Sequence, residues 1–234
     1  NFGDNGENKP LVKDYTNWEK GGSVGANVTY EAPSGNVSVR ESGKLSAGYA
    51  GASGAAKLFF GTNDPVFVVG NIALTAEQTK LRLGFGGAYS KQTSGTYDNT
   101  FYKDKFHVYV SGDGQKWTEL SYTTAQADEY WIYATADFTL TKASEKLYFK
   151  YTVDEVSVFA IDDAQLTIGE GGQTIDLEAG TSDPDQPETP DQPTDGSKEF
   201  PGAGQYLMVA LNGSDYLAAT PLTSDKNYGY LPVT

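Results

Sequence analysis

The stretch Tyr130-Trp131-Ile132-Tyr133-Ala134-Thr135-Ala136-Asp137-Phe138-Thr139-Leu140 decides the fold class. Apolar side chains fall on every even position, with Trp131, Tyr133, Thr135 and Asp137 between them. A strict period of two over this length describes a half-buried β-strand, because successive side chains of a strand point to opposite faces. The spacing therefore predicts Ile132, Ala134, Ala136, Phe138 and Leu140 facing a core, and Trp131, Tyr133, Thr135 and Asp137 facing outward.

The same period recurs on either side of it. Phe106, Val108 and Val110 share one face; so do Leu81, Leu83 and Phe85, and Leu147, Phe149, Tyr151 and Val153. Val66 to Leu74 is a continuous apolar run, expected as one or two strands buried on both sides. Turn chemistry separates these runs: Pro33-Ser34-Gly35-Asn36, Gly61-Thr62-Asn63-Asp64-Pro65 and Ser111-Gly112-Asp113-Gly114. A helical period is absent beyond one turn near Thr75–Lys80. Many short strands at this spacing predict an all-β, antiparallel jelly-roll β-sandwich over residues 1–180.

One strand changes phase within itself. Phe159 and Ile161 are apolar at odd positions, Leu166 and Ile168 at even ones. The slip falls on Asp162-Asp163 and predicts a β-bulge there. Two carboxylates at a bulge need partners if buried, and a cation is one candidate. Hard oxygen donors suit calcium, so Asp162 and Asp163 are candidate ligands of a structural ion.

Composition narrows the function. The chain has 234 residues, 38% hydrophobic, with 16 Tyr, 11 Phe and 3 Trp, which suits pleated sheets. Its formal charge of −14, with 17 basic against 31 acidic residues, excludes a nucleic-acid partner, which requires clustered Lys and Arg. There is no cysteine, hence neither disulfide nor thiolate chemistry. No apolar run is long enough to form a transmembrane segment. Asn1 is not a Met, and the expectation is a mature chain whose export signal or lipid anchor lay upstream.

From Thr181 to Lys198 the character changes. Pro184, Pro187, Pro190 and Pro193 recur every third residue with acidic residues between them. That is the polyproline II period, so residues 181–198 are expected to form a stiff acidic linker, with 183–194 reaching roughly 37 Å. Residues 199–234 are expected to be the start of a second β module or a docked hairpin, with Tyr206–Leu211 and Tyr216–Ala219 flanking Asn212-Gly213-Ser214-Asp215.

Catalytic arrangements are poorly represented. His107 is the single histidine, and no G-x-S-x-G elbow accompanies it. Asp154-Glu155 and Asp162-Asp163 do not reproduce the acidic motif of jelly-roll glycosidases, so no catalytic residue is assigned. Asp113-Gly114 reads as a hairpin turn. For ligands, the aromatic and polar stretch Gly95 to Tyr102 has the composition that sugars stack on, with Tyr97 and Tyr102 as candidate contacts. Trp131 and Tyr133, outward by parity, are a second candidate pair.

The order of these features resembles a known family. Asp14-Tyr15-Thr16-Asn17-Trp18, the glycine loop Gly48 to Gly54, Val110-Ser111-Gly112-Asp113-Gly114-Gln115-Lys116-Trp117 and Phe159-Ala160-Ile161-Asp162-Asp163-Ala164 follow one another as in the galactose-binding-like jelly rolls. Specifically, the chain resembles the MAM-like domains of bacterial surface proteins of choice-of-anchor J or cleaved-adhesin type, over about residues 1–170. The resemblance implies a surface lipoprotein of a Bacteroides-like bacterium, extracellular and outer-membrane-associated. Its partner would be a glycan or a host or cell-surface protein, and its role adhesion or carbohydrate recognition without catalysis. It also implies structural calcium between the first and last strands, with Asp4 or Glu31 joining Asp162 or Asp163. Two alternatives stand beside this reading: a structural spacer or scaffold of a larger surface lipoprotein, and an accessory domain of a secreted hydrolase.

Overall fold

The structure, a computed structural model, describes residues 7–18, 27–154 and 158–182, and the backbone of 210–211 and 215–216. The chain divides into two units, Asn1–Asp183 and Pro184–Thr234.

Two sheets make up the first unit. One contains β1 (Thr29–Ser34), β4 (Val66–Ala73), β12 (Lys146–Val153), β8 (Phe106–Ser111), β9 (Lys116–Glu119) and β15 (Thr181–Ser182), in that spatial order. The other runs β10 (Thr123–Gln126), β11 (Trp131–Leu140), β5 (Lys80–Tyr89), β13 (Phe159–Ile168), β3 (Lys57–Phe60) and β2 (Val37–Arg40), with β14 (Gln173–Ile175) parallel to β11. Every other strand pairing in these two sheets is antiparallel. The chain passes repeatedly from one sheet to the other, giving the expected all-β sandwich. A separate hairpin, β6 (Lys91–Thr93) and β7 (Thr96–Asp98), stands at the end of β5.

Alternation places the core. Ile132, Ala134, Ala136, Phe138 and Leu140 are all buried, as are the apolar faces of β5, β8 and β12. Aromatic rings fill the space between the sheets: Phe85 meets Tyr151 at 5.8 Å, and Phe106 meets Phe60 at 5.4 Å and Phe159 at 5.5 Å. Each such ring removes enough apolar surface from water to stabilise the fold by about 1.5–3 kcal/mol. The sheet changes at Gly35 and at Gly61–Pro65 pack together. Gly35 has φ +68°, and a Cβ there would overlap Asn63 and Pro65, so the crossing requires glycine.

Two expectations need adjustment. The run Val66–Leu74 is a single strand, β4, with only Phe67 and Gly70 buried. Its remaining residues are half-buried or exposed. Thr181 and Ser182 belong to the sandwich, since they pair with Trp117 and Lys116 of β9. The segment at Thr75–Lys80 is one turn, as expected, closed by the Gln78 N–H on the Thr75 carbonyl at 3.0 Å. The remainder of the Pro-rich segment lies outside the described residues. Beyond it, β16 (Ala210–Leu211) and β17 (Asp215–Tyr216) pair antiparallel around residues 212–214.

Candidate functional site

The outer face of the β2-containing sheet carries the site, and strand register builds its floor. Trp131 lies opposite Ala88, Ala88 opposite Ala160, Ala160 opposite Phe59, and Phe59 opposite Ser38. These five form one lateral row across β11, β5, β13, β3 and β2. Two adjacent alanines in its middle leave a trough between the larger rings on either side.

The next row is covered. There Tyr133, Gly86 and Asp162 lie side by side, and the loop joining β2 to β3 crosses above them. A Cβ at Gly86 would collide with the Tyr49 hydroxyl, so this glycine lets the loop settle on the sheet. Tyr49 then donates to Asp163 Oδ2 at 2.7 Å and tilts against Tyr133 at 5.0 Å.

What the loop leaves open is a cleft of about 700 Å³. Ala88 and Ala160 lie at its base. Phe59 and Arg40 form one side, Lys44 and Tyr130 another, and Tyr97 of β7 a third. Lys57 also lines it and is itself buried. A second, more polar groove of about 620 Å³ lies between the β6–β7 hairpin and β10, lined by Asn99, Thr124, Gln126 and Glu129. Tyr97 lines both, and its side chain is 58% exposed. A two-residue turn holds it out: Ser94 and Gly95 have φ +51° and +87°, the left-handed pair that joins tightly twisted strands.

The cleft carries positive charge. The Arg40 guanidinium carbon sits 3.6 Å above the Phe59 ring centroid while its Nε donates to Ser38 Oγ at 2.9 Å. Lys44 Nζ lies 4.6 Å from the Tyr130 ring. Lys57 Nζ donates to the Lys44 carbonyl and lies 6.0 Å from the Trp131 ring. Burial pushes the Lys57 ammonium down to about 8, with Arg40 adding to the effect and Asp162 opposing it.

The candidate residues read from the sequence meet different fates. Tyr97 is the exposed ring expected of a ligand contact. Tyr102 is not: it packs edge-on against Tyr89 at 5.1 Å and its hydroxyl donates to Asp98 Oδ2 at 2.7 Å, so it anchors the hairpin. Trp131 faces away from the core as parity requires, yet it is fully buried. Tyr49, Ala127 and Tyr130 pack over it with Ala88 and Ala160, closing its ring to solvent. Its indole N–H has no acceptor among the described residues. Tyr133 is half-buried beside Tyr49 and does not line the cleft. Arg40, Lys44, Lys57, Phe59 and Tyr130 were not singled out from the sequence. The alternation in Val37-Ser38-Val39-Arg40 and Lys57-Leu58-Phe59-Phe60 puts Arg40, Lys57 and Phe59 outward, which is the signal that could have found them.

Asp162 and Asp163 occupy a bulge, with the register against β5 shifting between Asp162 and Gln165 and Asp163 at φ +52°. Leu166 thereby regains a place opposite Leu83. Both carboxylates are buried and hydrogen-bonded. Asp163 Oδ2 accepts from Tyr49 and from the Ser53 N–H, and Asp162 accepts from the Asp163 N–H at 2.8 Å and from Ser53 Oγ at 3.3 Å. Burial pushes Asp162 up to about 6, whereas hydrogen bonds from Tyr49 and Ser53 outweigh burial at Asp163 and hold it low. Glu31 lies exposed on β1 of the other sheet and is not brought to this pair; Asp4 is outside the described residues. Among the described residues no three His or acidic side chains gather as a metal site.

On the opposite sheet, His107 joins Glu119 (Nδ1 to Oε1, 2.7 Å) and Asp154 (Nε2 to Oδ2, 3.1 Å). Burial lowers its affinity for a proton, but the two carboxylates outweigh it and the net shift is upward. Both ring nitrogens face acceptors, an arrangement that the imidazolium satisfies fully and a general base does not.

No family model matches the chain, and no curated protein matches it. Among solved structures it is similar to the CBM22-2 xylan-binding domain from Paenibacillus barcinonensis Xyn10C. The likeness has 11% sequence identity and a TM-score of 0.36, and covers 62% of this chain and 92% of that domain. Among the described residues no helix is long and apolar enough to cross a membrane.

Proposed function

We propose that this protein is a non-enzymatic carbohydrate-recognition module working outside the cell in adhesion or glycan capture. The observation that carries the reading is the exposed Tyr97 ring standing between a 700 Å³ cleft and a second polar groove. A sugar presents an apolar face and a rim of hydroxyls. It therefore favours an aromatic platform flanked by hydrogen-bonding groups, and an oligosaccharide favours a groove that continues past the platform.

Glycoside hydrolysis requires two carboxylates flanking the bond. The described lining of the main cleft contains none, and of the two in the second groove, Asp98 and Glu129, Asp98 is engaged by the Tyr102 hydroxyl and the Thr100 N–H, which supports binding over cleavage. The sequence resemblance to MAM-like surface domains supports a cell-surface location and an adhesive role. Calcium at Asp162 and Asp163 belongs to the same proposal, as an ion tying β13 to the covering loop.

A glycan-array screen of the chain and of Tyr97→Ala tests the reading. The expected result is a reproducible glycan hit that weakens about tenfold or more in the variant. A blank array with folded protein, or a hit indifferent to Tyr97, would overturn it.

A further inference from the structure

The main cleft is lined against the trend of the whole molecule. Acidic residues outnumber basic ones 31 to 17, yet the cleft's described lining holds Arg40, Lys44 and Lys57 and no carboxylate. Among the described residues none of the three lies within ion-pair distance of an Asp or Glu. Aromatic faces and backbone position them instead: Phe59 beneath Arg40, Tyr130 beside Lys44, and the Lys44 carbonyl on Lys57. Side chains so arranged are held in place without a contacting carboxylate, Asp162 acting on Lys57 only from beyond ion-pair distance.

Such an arrangement costs stability in the free protein. Burial lowers the proton affinity of both Lys57 and Arg40, which means each cation is poorly solvated where it stands. A poorly solvated cation in a concave site interacts strongly with an arriving anion, because little water must be displaced and the local dielectric is low. The Arg40 fork also suits a planar or tetrahedral oxyanion, to which it can donate two parallel hydrogen bonds.

We infer that the glycan taken by this cleft is anionic, with a carboxylate or sulfate ester seated against Arg40, Lys44 and Lys57 while the sugar ring lies on Tyr97. This rests on the carbohydrate reading above and deepens it. A neutral glycan would leave the three cations without a contacting anion. A polyanion without sugar rings would make no use of Tyr97.

Two matched ligand pairs test it by calorimetry: oligogalacturonate against its methyl ester, and a sulfated galactan oligosaccharide against its desulfated form. Within a pair only the charge differs, and the two pairs separate carboxylate from sulfate. The expected result is that the charged member of at least one pair binds tenfold or more tighter. That preference should shrink severalfold between about 50 and 500 mM salt. Lys44→Ala, at an exposed position, and Arg40→Gln together should remove most of the preference. Thermal melts of each variant provide the folding control, and Lys44→Ala alone suffices if Arg40→Gln unfolds.

Equal binding within both pairs, unaffected by these variants but weakened by Tyr97→Ala, would overturn the anionic inference and leave carbohydrate recognition standing. Absence of binding to all four ligands by folded protein would overturn the inference, with the array deciding the broader reading. Polyglutamate binding as tightly as the charged glycans, indifferent to Tyr97→Ala, would overturn both.

Discussion

Tyr97 and Trp131 are both large aromatics pointing away from the core, and they differ in what covers them. Tyr97 is 58% exposed, whereas Trp131 lies under Tyr49, Ala127 and Tyr130. Their truncations should therefore separate. Trp131→Ala is expected to lose about 3–5 kcal/mol in urea denaturation, as buried aromatics do on truncation to alanine. Tyr97→Ala should stay within about 0.5 kcal/mol of the parent. A Trp131→Ala protein as stable as the parent would contradict the burial. Asp162 offers a second prediction at this scale. Its folded pKa, raised by burial to about 6, exceeds the ordinary value of 3.8. Between those values the native state binds more protons than the unfolded chain, so stability falls as pH rises from about 4 to about 6. Asp162→Asn removes that titration. Its stability relative to the parent should rise by about 1–3 kcal/mol from pH 4 to pH 7, measured by denaturant titration. A constant difference across that range would refute the assignment.

Among the elements, the β8–β9 hairpin is held by more than its ladder. Ser111 Oγ accepts from the Gly114 N–H at 2.8 Å, and Asp113 Oδ1 accepts from Gln115 and Lys116 at 2.7 and 2.9 Å, so the Asp-Gly turn closes itself. His107 then ties β8 to Glu119 at the end of β9 and to Asp154 just past β12. The folded pKa of His107 lies above its ordinary 6.5. The stabilisation is complete below about 6.5 and lost as pH rises through the higher folded value. Because Glu119 and Asp154 are both more than half exposed, the contribution is that of a surface ion pair, about 1 kcal/mol or less. His107→Gln should therefore be less stable than the parent at pH 5.5 and approach it at pH 8.5. A gap that widens with pH would sink the clamp.

For the molecule as a whole these effects point the same way. Asp162 and His107 both favour the acidic side, and lowering pH also relaxes the self-repulsion of a chain with net charge −14. The melting temperature should be higher at pH 5.5 than at pH 8. At about 2–4 °C per kcal/mol for a domain of this size, a difference of several degrees is expected in calorimetry. The reverse order would mean that other titrations dominate. The same scans test calcium. An ion at Asp162 and Asp163 should raise the melting temperature on addition and lower it on chelation. Unchanged melts together with no calcium by elemental analysis would overturn the ion.

Strand by strand, the architecture is legible in the sequence. Side-chain direction along a strand is a local property of period two, so parity alone placed Ile132 to Leu140, Phe106 to Val110 and Leu147 to Val153 against the core. It located the bulge at Asp162-Asp163 for the same reason, since an apolar phase can slip only where an extra residue enters. Parity also put Trp131 and Tyr133 on the outer face, and there its reach ended. Whether an outward ring meets water depends on what crosses above it. The loop that lands Tyr49 on Gly86 is distant in sequence from Trp131. The cleft has the same origin. Ser38, Phe59, Ala160, Ala88 and Trp131 become one row only because β2, β3, β13, β5 and β11 are neighbours in that order, and strand order is a long-range property. The sequence by itself determined which faces are apolar, where the turns fall and where the bulge sits. The tertiary structure alone decided that two alanines would share a trough, that three cations would gather beside it, and that Tyr97 would stand open at its edge.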